Sequence, residues 1–444
     1  MRNVFKVVTI NNQSHCLFVH ANQSKLIDKT TTIHFGFQKM KVDSKQLDTL
    51  KENEIGLSKT VIDKLQLPLE AEYELSLENN RIIIGPFIGL LIANYQSEIR
   101  EKLKYLKFII RQYPLVRGVI AAFSLEGMDE KNAEINGYIY NPSSRSWEKG
   151  TFPFPAVVVK RMLLPTKSQH NLKKLYGSRF FNSAYINKWK MYQLLSSNKD
   201  LLPHLPKTYL YKKPEDILHY LKNFQTIYVK SLSGLKGTGV TKFIAEPKKY
   251  IVKFRSNKEN KTIDFFSENE LLNYVRGKFK SGNYVIQQEI DLEIEKKHLI
   301  DFRIVLIKNQ NGQWEDVGMV GRKGVKGSIV SNRSSGGNVE RGETLLLESF
   351  NLSKPEMLSY RRKMSGIAIK AAEQLDKYES IYKYGVDIGI DSHHHIWLIE
   401  VNNHNPNDNI FSHVGDYDTG SKIKDSSMLY AKYLAGFPKN RGSQ

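Results

Sequence analysis

The sequence predicts an α+β fold, because strand-like and helix-like patterns both occur and neither is confined to one part of the chain. Residues 1–90 consist mainly of short alternating apolar and polar segments, which predict a small β-rich module. Residues 91–160 alternate between helical and strand patterns and predict an α/β unit. Residues 161–435 mix strands with helices and are expected to form the largest domain, followed by a flexible tail at residues 436–444.

The N-terminal module is expected to carry no targeting segment. Residues 1–20 alternate apolar and polar side chains and lack the unbroken apolar core of a signal peptide, so we expect cytoplasmic synthesis. The most apolar stretch, residues 82–93, is shorter than the ~20 residues of a membrane span. Cys16 is the single cysteine of the sequence, which excludes an intramolecular disulfide and predicts an inert, buried thiol.

The later elements follow from hydrophobic periodicity. Apolar residues at helical spacing predict helices, and β-branched or aromatic runs bounded by polar residues predict strands. Helices are expected at 98–112, 185–196, 357–375 and 426–434, and strands at 156–159, 227–230, 284–288, 303–307, 385–390 and 397–401.

The chain of 444 residues contains 66 Lys and Arg against 46 Asp and Glu, a net charge of +20. Such a charge admits nucleic acid, an anionic surface or acidic small substrates as partners. It is equally consistent with a solvated lysine-rich exterior. We regard nucleic-acid binding as the least favoured of these interpretations.

A glycine-rich segment follows a β-branched strand that ends at Lys230. Gly234, Gly237 and Gly239 allow backbone N–H groups to approach a polyphosphate closely, and Lys230 and Lys236 add positive charge. The segment therefore predicts a lid over a nucleotide, although a plain β-hairpin turn explains the glycines as well. It lacks the spacing of a P-loop.

Two apolar strands within residues 385–402 predict a β-hairpin with oxygen ligands at one end. Asp387 lies near the start of the first strand, and Glu400 and Asn402 lie near the end of the second, so antiparallel pairing brings them together. Carboxylate and amide oxygens suit Mg²⁺ that bridges ATP phosphates. The alternative is a hairpin whose acidic ends simply face solvent.

Arginines supply the complementary charge. Arg303 and Arg322 lie in strand-like segments, and a guanidinium group keeps its charge when desolvated and binds phosphate oxygens in a planar fork. Both residues could stabilise a phosphoryl group in transfer, whereas surface ion pairing explains either arginine taken alone.

A set of segments follows in order along residues 80–435: residues 84–90, 181–182, 187–195, 205–208, 285–289, 385–387 and 400–402, Lys230 with its glycine loop, Asp301 with Arg303, and Asn332 with Gly336 and Gly337. In this order the segments resemble the ATP-grasp superfamily, and most closely the YheC/YheD type of endospore coat-associated proteins.

The resemblance implies an ATP-grasp fold, in which two α+β subdomains clasp ATP, preceded by a pre-ATP-grasp unit at residues 91–160. It implies ATP as cosubstrate and Mg²⁺ as metal, with two ions expected and Mn²⁺ as a substitute. The implied ATP-binding residues are Lys188, Lys230, Ser233, Gly234, Gly237, Thr238, Gly239 and Asn332, the adenine hinge Gln288, Glu289 and Ile290, and Glu293 at the ribose, where Asp291 is the alternative. The implied catalytic residues are Arg303 and Arg322. The implied metal ligands are Asp387, Glu400 and Asn402.

The resemblance also implies a carboxylate-amine ligase that forms an amide or peptide bond through an acylphosphate. An acidic amino acid or peptide is the expected acceptor, and spore coat proteins are expected partners. Ala156 and Lys160 stand where the family leads us to expect acidic residues, and Asn187 stands where many relatives have Asp. We therefore expect an altered binding site for the acceptor substrate. ATP use is expected to be retained, because no phosphate or metal ligand is replaced. The alternative is a structural coat protein that binds ATP without turnover.

Overall fold

Four β-sheets and the helices packed on them make up the part of the chain that the structure describes. The computed structural model describes residues 4–24, 27–78, 81–182, 185–234, 239–256, 259–294, 298–326, 336–403 and 409–438. The α+β expectation is confirmed, because strands and helices alternate through most of the chain. Among these described residues, no helix combines the length and apolar character needed to cross a membrane.

The first sheet has seven strands in the order β1-β5-β2-β4-β3-β7-β6. Its core includes Cys16, which is 1% exposed and unpaired, as the sequence predicts. The elements are β1 (Lys6–Ile10), β2 (Cys16–Val19), α1 (Ala21–Ser24), β3 (Thr30–Phe35), β4 (Gln38–Gln46), β5 (Glu54–Ser58), α2 (Lys59–Leu65), β6 (Glu74–Glu78) and β7 (Arg81–Gly85).

The second sheet begins immediately afterwards and has the order β11-β10-β9-β8-β12-β13. Its central strand β8 is buried along its whole length, which is typical of a strand covered on both faces. The elements are β8 (Phe87–Ala93), α3 (Ile99–Lys102), α4 (Lys107–Arg111), α5 (Tyr113–Val116), β9 (Val119–Asp129), β10 (Glu134–Asn141), β11 (Ser146–Pro153), β12 (Val157–Lys160), α6 (Thr166–Tyr176) and β13 (Phe180–Phe181), with 3₁₀ turns at Gln96–Glu98, Leu103–Leu106 and Gly177–Arg179.

One boundary and one helix predicted from the sequence differ from the observed structure in this region. The expected boundary after residue 90 falls inside β8, because residues 87–93 pair with β9 and β12 rather than with the first sheet. The helix expected at 98–112 is a series of short α and 3₁₀ turns. Its buried residues still recur every three or four positions, so the amphipathic pattern is satisfied without one continuous helix.

The third sheet is antiparallel throughout, in the order β14-β19-β15-β16-β17-β18. Helices α8 and α9 cover one face, where Leu221 and Val275 pack in the same core as Val229. The elements are α7 (Lys188–Ser196), a 3₁₀ turn (Leu202–His204), β14 (Thr208–Leu210), α8 (Glu215–Phe224), β15 (Thr226–Ser231), β16 (Val240–Glu246), β17 (Lys249–Ser256), β18 (Glu259–Phe265), α9 (Glu268–Lys278) and β19 (Tyr284–Gln288).

The fourth sheet has the order β23-β22-β21-β24-β25, with β20 beside β21. A capping box between Ser353 and Glu356 begins the long helix α11, which packs on one face. The elements are β20 (Glu293–Ile294), β21 (His298–Lys308), β22 (Trp314–Lys323), β23 (Asn338–Arg341), α10 (Gly342–Ser349), α11 (Lys354–Asp376), β24 (Lys383–Ile390), β25 (Ile396–Asn402), a 3₁₀ turn (Ile410–Val414) and α12 (Tyr417–Leu434).

Helix α12 joins the second and fourth sheets. Ile423 packs with Val305 and Ile307 of the fourth sheet, whereas Met428 lies in the core of the second sheet. The chain continues to Phe437, which is 2% exposed and lies against Gly85, although the sequence assigns this residue to a flexible tail.

We predict that Phe302→Ala destabilises the protein by about 3–5 kcal/mol. Phe302 is fully buried under α11, between Asp301 and Arg303 on the same strand. Urea unfolding measures the change. Phe266, which is 73% exposed, supplies the matched control Phe266→Ala, expected within about 0.5 kcal/mol of wild type. Equal losses in the two variants would contradict the assigned packing.

Candidate functional site

A cleft lies between the third and fourth sheets, on the face of the third sheet that α8 and α9 leave uncovered. Residues that pair directly across two strands point to the same face of a sheet. Thr208 pairs with Gln287, and Lys230 pairs with Val285. All four line one pocket together with β25 and α7. The cleft is therefore built by strand register, with α7 as its side wall.

The pocket measures about 790 Å³, part of which is open to solvent. Charged and amide side chains gather at one end, and apolar side chains form the remaining wall. The lining residues are Tyr185, Ile186, Lys188, Met191, Tyr192, Leu195, Leu205, Pro206, Thr208, Lys230, Val285, Gln287, Leu398, Ile399, Glu400, Val401, Asn402 and Asn403.

Two consecutive hydrogen bonds between side chains hold Lys230, and the sequence pattern does not predict them. Its Nζ donates to Gln287 Oε1 at 2.5 Å, and Gln287 Nε2 donates to Thr208 Oγ1 at 2.9 Å. Burial lowers the pKa of Lys230 to about 8, because the charged form loses solvation. Gln287 lies within the segment singled out from the sequence, but only the strand pairing shows that its side chain faces the cleft.

Lys188 begins helix α7 and extends into the same end of the pocket. Asn187 caps the helix by accepting a hydrogen bond from the Lys190 N–H at 2.9 Å. Its side-chain amide thus provides the same N-terminal cap that Asp would provide at this position. Lys188 Nζ pairs with Glu400 Oε1 and also donates to the Gly234 carbonyl at 3.3 Å. One lysine thus contacts both the expected metal ligand and the expected phosphate loop.

A buried cluster of charges lies beside the pocket. Arg322 donates from Nε and Nη2 to the two carboxylate oxygens of Asp301, at 2.7 and 2.5 Å. Its Nη2 also lies 3.1 Å from Asp387 Oδ1. Arg303 donates to both oxygens of Asp387, with Nη2 at 2.9 Å from Oδ2. Two arginines and two aspartates therefore neutralise one another where water is largely excluded.

The electrostatics of the cluster favour the charged forms. Burial by itself would raise the pKa of Asp387, but Arg303 and Arg322 outweigh it and lower the pKa to about 2. Burial opposes the charge of Arg322 as well, yet Asp301 and Asp387 hold its pKa above the ordinary value. Arg322 is only 5% exposed, and neither Arg322 nor Arg303 is among the residues that line the pocket.

The three expected metal ligands converge as predicted from hairpin geometry. Asp387 pairs directly with Glu400 across β24 and β25, and Asn402 Nδ2 donates to Asp387 Oδ2 at 3.3 Å. Two carboxylates and one amide fit Mg²⁺, which takes oxygen ligands and completes its shell with water or phosphate. Within the described part of the chain, no group of three or more His, Cys, Asp and Glu side chains is placed to hold a metal.

The expected adenine hinge lies at the end of β19 and is tied into the third sheet. The N–H groups of Gln288 and Glu289 donate to the carbonyls of Lys207 and Thr226, at 3.0 and 3.4 Å. The Glu289 carboxylate lies 2.5 Å from Lys242 Nζ, which stands 5.6 Å from the centre of the Tyr228 ring. Lys242 is a contact that the sequence analysis does not identify.

Neither the expected hinge residues nor the residues that follow them are among those that line the pocket. Ile290 accepts a backbone hydrogen bond from Leu292 at 2.9 Å. Asp291 accepts one from Ser392 Oγ at 2.8 Å, which connects the hinge to the turn between β24 and β25. Glu293 is exposed on the short strand β20.

The glycine loop is described only at its two ends. Ser233 is exposed, and Gly239 adopts a positive φ of 74°, a conformation that favours glycine. The Gly239 carbonyl accepts from the Ser231 N–H at 3.1 Å, which closes the base of the loop. Three expected ATP-binding residues, Gly237, Thr238 and Asn332, lie outside the described residues.

The comparison with known families decides the classification. A model described as "YheC/D like ATP-grasp" matches residues 177–434, which is more than half of the chain. The chain belongs to this family. The resemblance stated from the motifs is therefore confirmed, and so is the ATP-grasp fold of the third and fourth sheets.

Curated relatives extend the similarity beyond that domain. The chain is 27% identical over 401 residues to the endospore coat-associated protein YheD of Bacillus subtilis, covering 86% of each chain. It is 21% identical over 279 residues to YheC of the same organism, covering 60% of this chain and 75% of YheC. Among solved structures, D-alanyl-alanine synthetase A from Vibrio cholerae superimposes with a TM-score of 0.41 and 14% identity, covering 77% of this chain and 98% of that one.

We predict that the affinity for Mg²⁺-ATP falls as the pH rises through about 8. Below this pH Lys230 is protonated and attracts phosphate, whereas above it the neutral amine dominates and the apparent Kd rises about tenfold per pH unit. Calorimetric titration from pH 7 to 9.5 measures the profile. Lys230→Arg retains the charge throughout this range and should give a flat profile. A flat wild-type profile would refute the role of Lys230.

Proposed function

We propose that this protein is an ATP-dependent ligase that joins a carboxylate to an amine. The observation that carries the proposal is the convergence, at one end of the cleft, of Lys188 and Lys230 with the oxygen ligands Glu400 and Asn402. Two ammonium groups beside a carboxylate and an amide suit a polyphosphate with its metal ion. Membership of the ATP-grasp family supports the same assignment.

The division of the pocket into a charged and an apolar end fits a nucleotide. A purine ring would pack against the apolar wall that includes Met191, Leu205 and Ile399. The phosphates would then extend toward Lys188 and Lys230, with the glycine loop above them. In this pose Gln287 would orient Lys230 toward the phosphates by accepting a hydrogen bond from its ammonium group.

Asp387, Glu400 and Asn402 would hold the magnesium, which neutralises phosphate charge and so lowers the barrier to phosphoryl transfer. Lys188 pairs with Glu400 and Arg303 pairs with Asp387, so both carboxylates already have compensating cations. When ATP binds, Lys188 would exchange its carboxylate partner for a phosphate. The site would remain close to electrically balanced throughout.

The reaction would proceed in two displacements. A substrate carboxylate oxygen attacks the γ-phosphorus, ADP leaves, and an acylphosphate forms. An amine nitrogen then attacks the acyl carbon, inorganic phosphate leaves and the amine gives up a proton. Arg303 would stabilise the negative charge that develops in both steps, and Arg322 would position Asp387 and through it Arg303.

The net charge of +20 supports an acidic amino acid or acidic peptide as the acceptor. Lys160, at the end of β12, replaces an expected acidic residue and bonds to Gln169 at 3.2 Å. The similarity to YheD supports association with the endospore coat, since that relative carries this description.

The decisive test is ADP release with Mg²⁺ and ATP over pooled amino acids and acidic peptides. ADP should form only when an acceptor is present, and Glu400→Gln should reduce the rate about a hundredfold by removing a metal ligand. Glu373→Gln, on the exposed side of α11, is the matched control and should retain the wild-type rate. Activity on neutral amino acids alone would count against an acidic acceptor.

The second candidate is a coat protein that binds ATP without turnover, which the similarity to YheD also supports. Mg²⁺-dependent ATP binding without ADP release from any acceptor pool would favour it over the ligase. Absence of ATP binding would refute both.

We further predict that Lys188→Met weakens ATP binding about tenfold or more, because it removes a cation from the phosphate end of the pocket. Lys190→Met on the exposed side of the same helix should leave the Kd unchanged. Both variants retain the Asn187 cap, so a comparison of circular dichroism spectra checks that α7 is intact. An equal loss in the two variants would indicate a general charge effect.

A further inference from the structure

The run of short helices between β8 and β9 presents an exposed face that mixes cations with large apolar side chains. Its inner side is buried, since Ile99, Leu103, Leu106 and Ile109 pack into the core of the second sheet. We define the outer side as the 100–115 face. Its members are Arg100, Glu101, Lys104, Tyr105, Lys107, Phe108, Arg111, Pro114 and Leu115.

The apolar members of the 100–115 face form one stripe. Tyr105 is 70% exposed, Phe108 is 38% exposed and Leu115 is 51% exposed. Tyr105 and Phe108 are three residues apart, a spacing that makes them neighbours on a helical surface. Single exposed apolar residues are ordinary, but a stripe of three on one surface requires an explanation.

Four cations and one carboxylate, that of Glu101, share this face with the apolar side chains. Lys104 pairs with Glu101 at 3.0 Å and also lies 5.2 Å from the centre of the Tyr105 ring. In contrast, no carboxylate within the described part of the chain forms an ion pair with Arg100, Lys107 or Arg111. The face therefore carries a surplus of positive charge beside exposed hydrocarbon.

We propose that the 100–115 face docks onto an anionic lipid bilayer. Phosphate groups of such a surface lie at the depth of the cations, and the acyl boundary beneath them accommodates the tips of Tyr105, Phe108 and Leu115. A nucleic acid would neutralise the cations but would offer no apolar region to Leu115. Peripheral docking through this face is separate from the proposed ATP chemistry, because the 100–115 face contributes no residue to the pocket.

The experiment is flotation of the full-length protein with vesicles of phosphatidylcholine alone or with about one third phosphatidylglycerol. Wild type should bind the anionic vesicles and not the neutral ones. Lys107→Gln with Arg111→Gln should lower the partition coefficient about 30-fold, since each cation near such a surface contributes about a factor of five. Lys41→Gln with Lys45→Gln, two exposed cations of β4, is the matched control and should bind as wild type.

The apolar contribution is tested separately. Tyr105→Ser with Phe108→Ser should lower the partition coefficient about tenfold, and the residual binding should become more sensitive to salt. Leu163→Ser with Phe266→Ser changes two other exposed apolar residues and should have no effect. Thermal unfolding of each variant confirms that the surface changes leave the fold intact.

Equal binding to neutral and anionic vesicles would overturn the proposal, as would wild-type binding by the Lys107 and Arg111 double variant. A labelled single-stranded oligonucleotide is titrated in parallel. Tighter binding of the oligonucleotide than of vesicles, with loss in the same variants, would reassign the 100–115 face to nucleic acid and overturn the bilayer proposal.

Discussion

The cleft depends on the pairing of two arginines with two aspartates inside the fourth sheet. Asp301 lies directly opposite Arg322 on β22, and Arg303 lies directly opposite Asp387 on β24. A buried charge without its partner costs several kcal/mol, so each member of the cluster requires the others. A shift of one residue in either strand pairing would move these side chains to the opposite face. The ion pairs therefore form only in this strand register, and they stabilise it in turn. The same register places the expected metal ligands of β24 and β25 next to one another.

The same sheet is connected to the rest of the molecule by α12. The first half of this helix packs on the fourth sheet and the second half packs on the second sheet, so one helix belongs to two hydrophobic cores. Phe437 then extends the second core to Gly85, at the end of the first sheet. A segment close to the end of the sequence thus connects three of the four sheets.

The distribution of charge in the cleft explains why the site suits phosphate chemistry. Lys230 is buried and has a lowered pKa, whereas Lys188 forms an ion pair with Glu400. Arg303 keeps its charge at every pH of interest. The site therefore combines a permanent cation with a cation that depends on pH, next to the oxygen donors of the expected metal site.

The sequence by itself determined the family and the order of the strands and helices that carry the site, and it predicts the three metal ligands. Those features are local: Asp387, Glu400 and Asn402 belong to one hairpin, and antiparallel pairing brings hairpin ends together whatever the rest of the chain does. The glycine loop was also accessible, because glycine preferences act within a few residues, whereas Lys188 followed only from the resemblance to the family.

Only the tertiary structure decided that Gln287 lines the cleft while its neighbour Gln288 does not, and that Arg303 and Arg322 both contact Asp387. Both outcomes depend on which strand pairs with which, and in what register, across separations of 21 to 84 residues in the sequence. It also decided that α12 bridges two sheets, and that the helices between β8 and β9 leave a basic and apolar face uncovered. Periodicity identifies the side of a helix that is buried, but packing between distant segments determines what covers the other side.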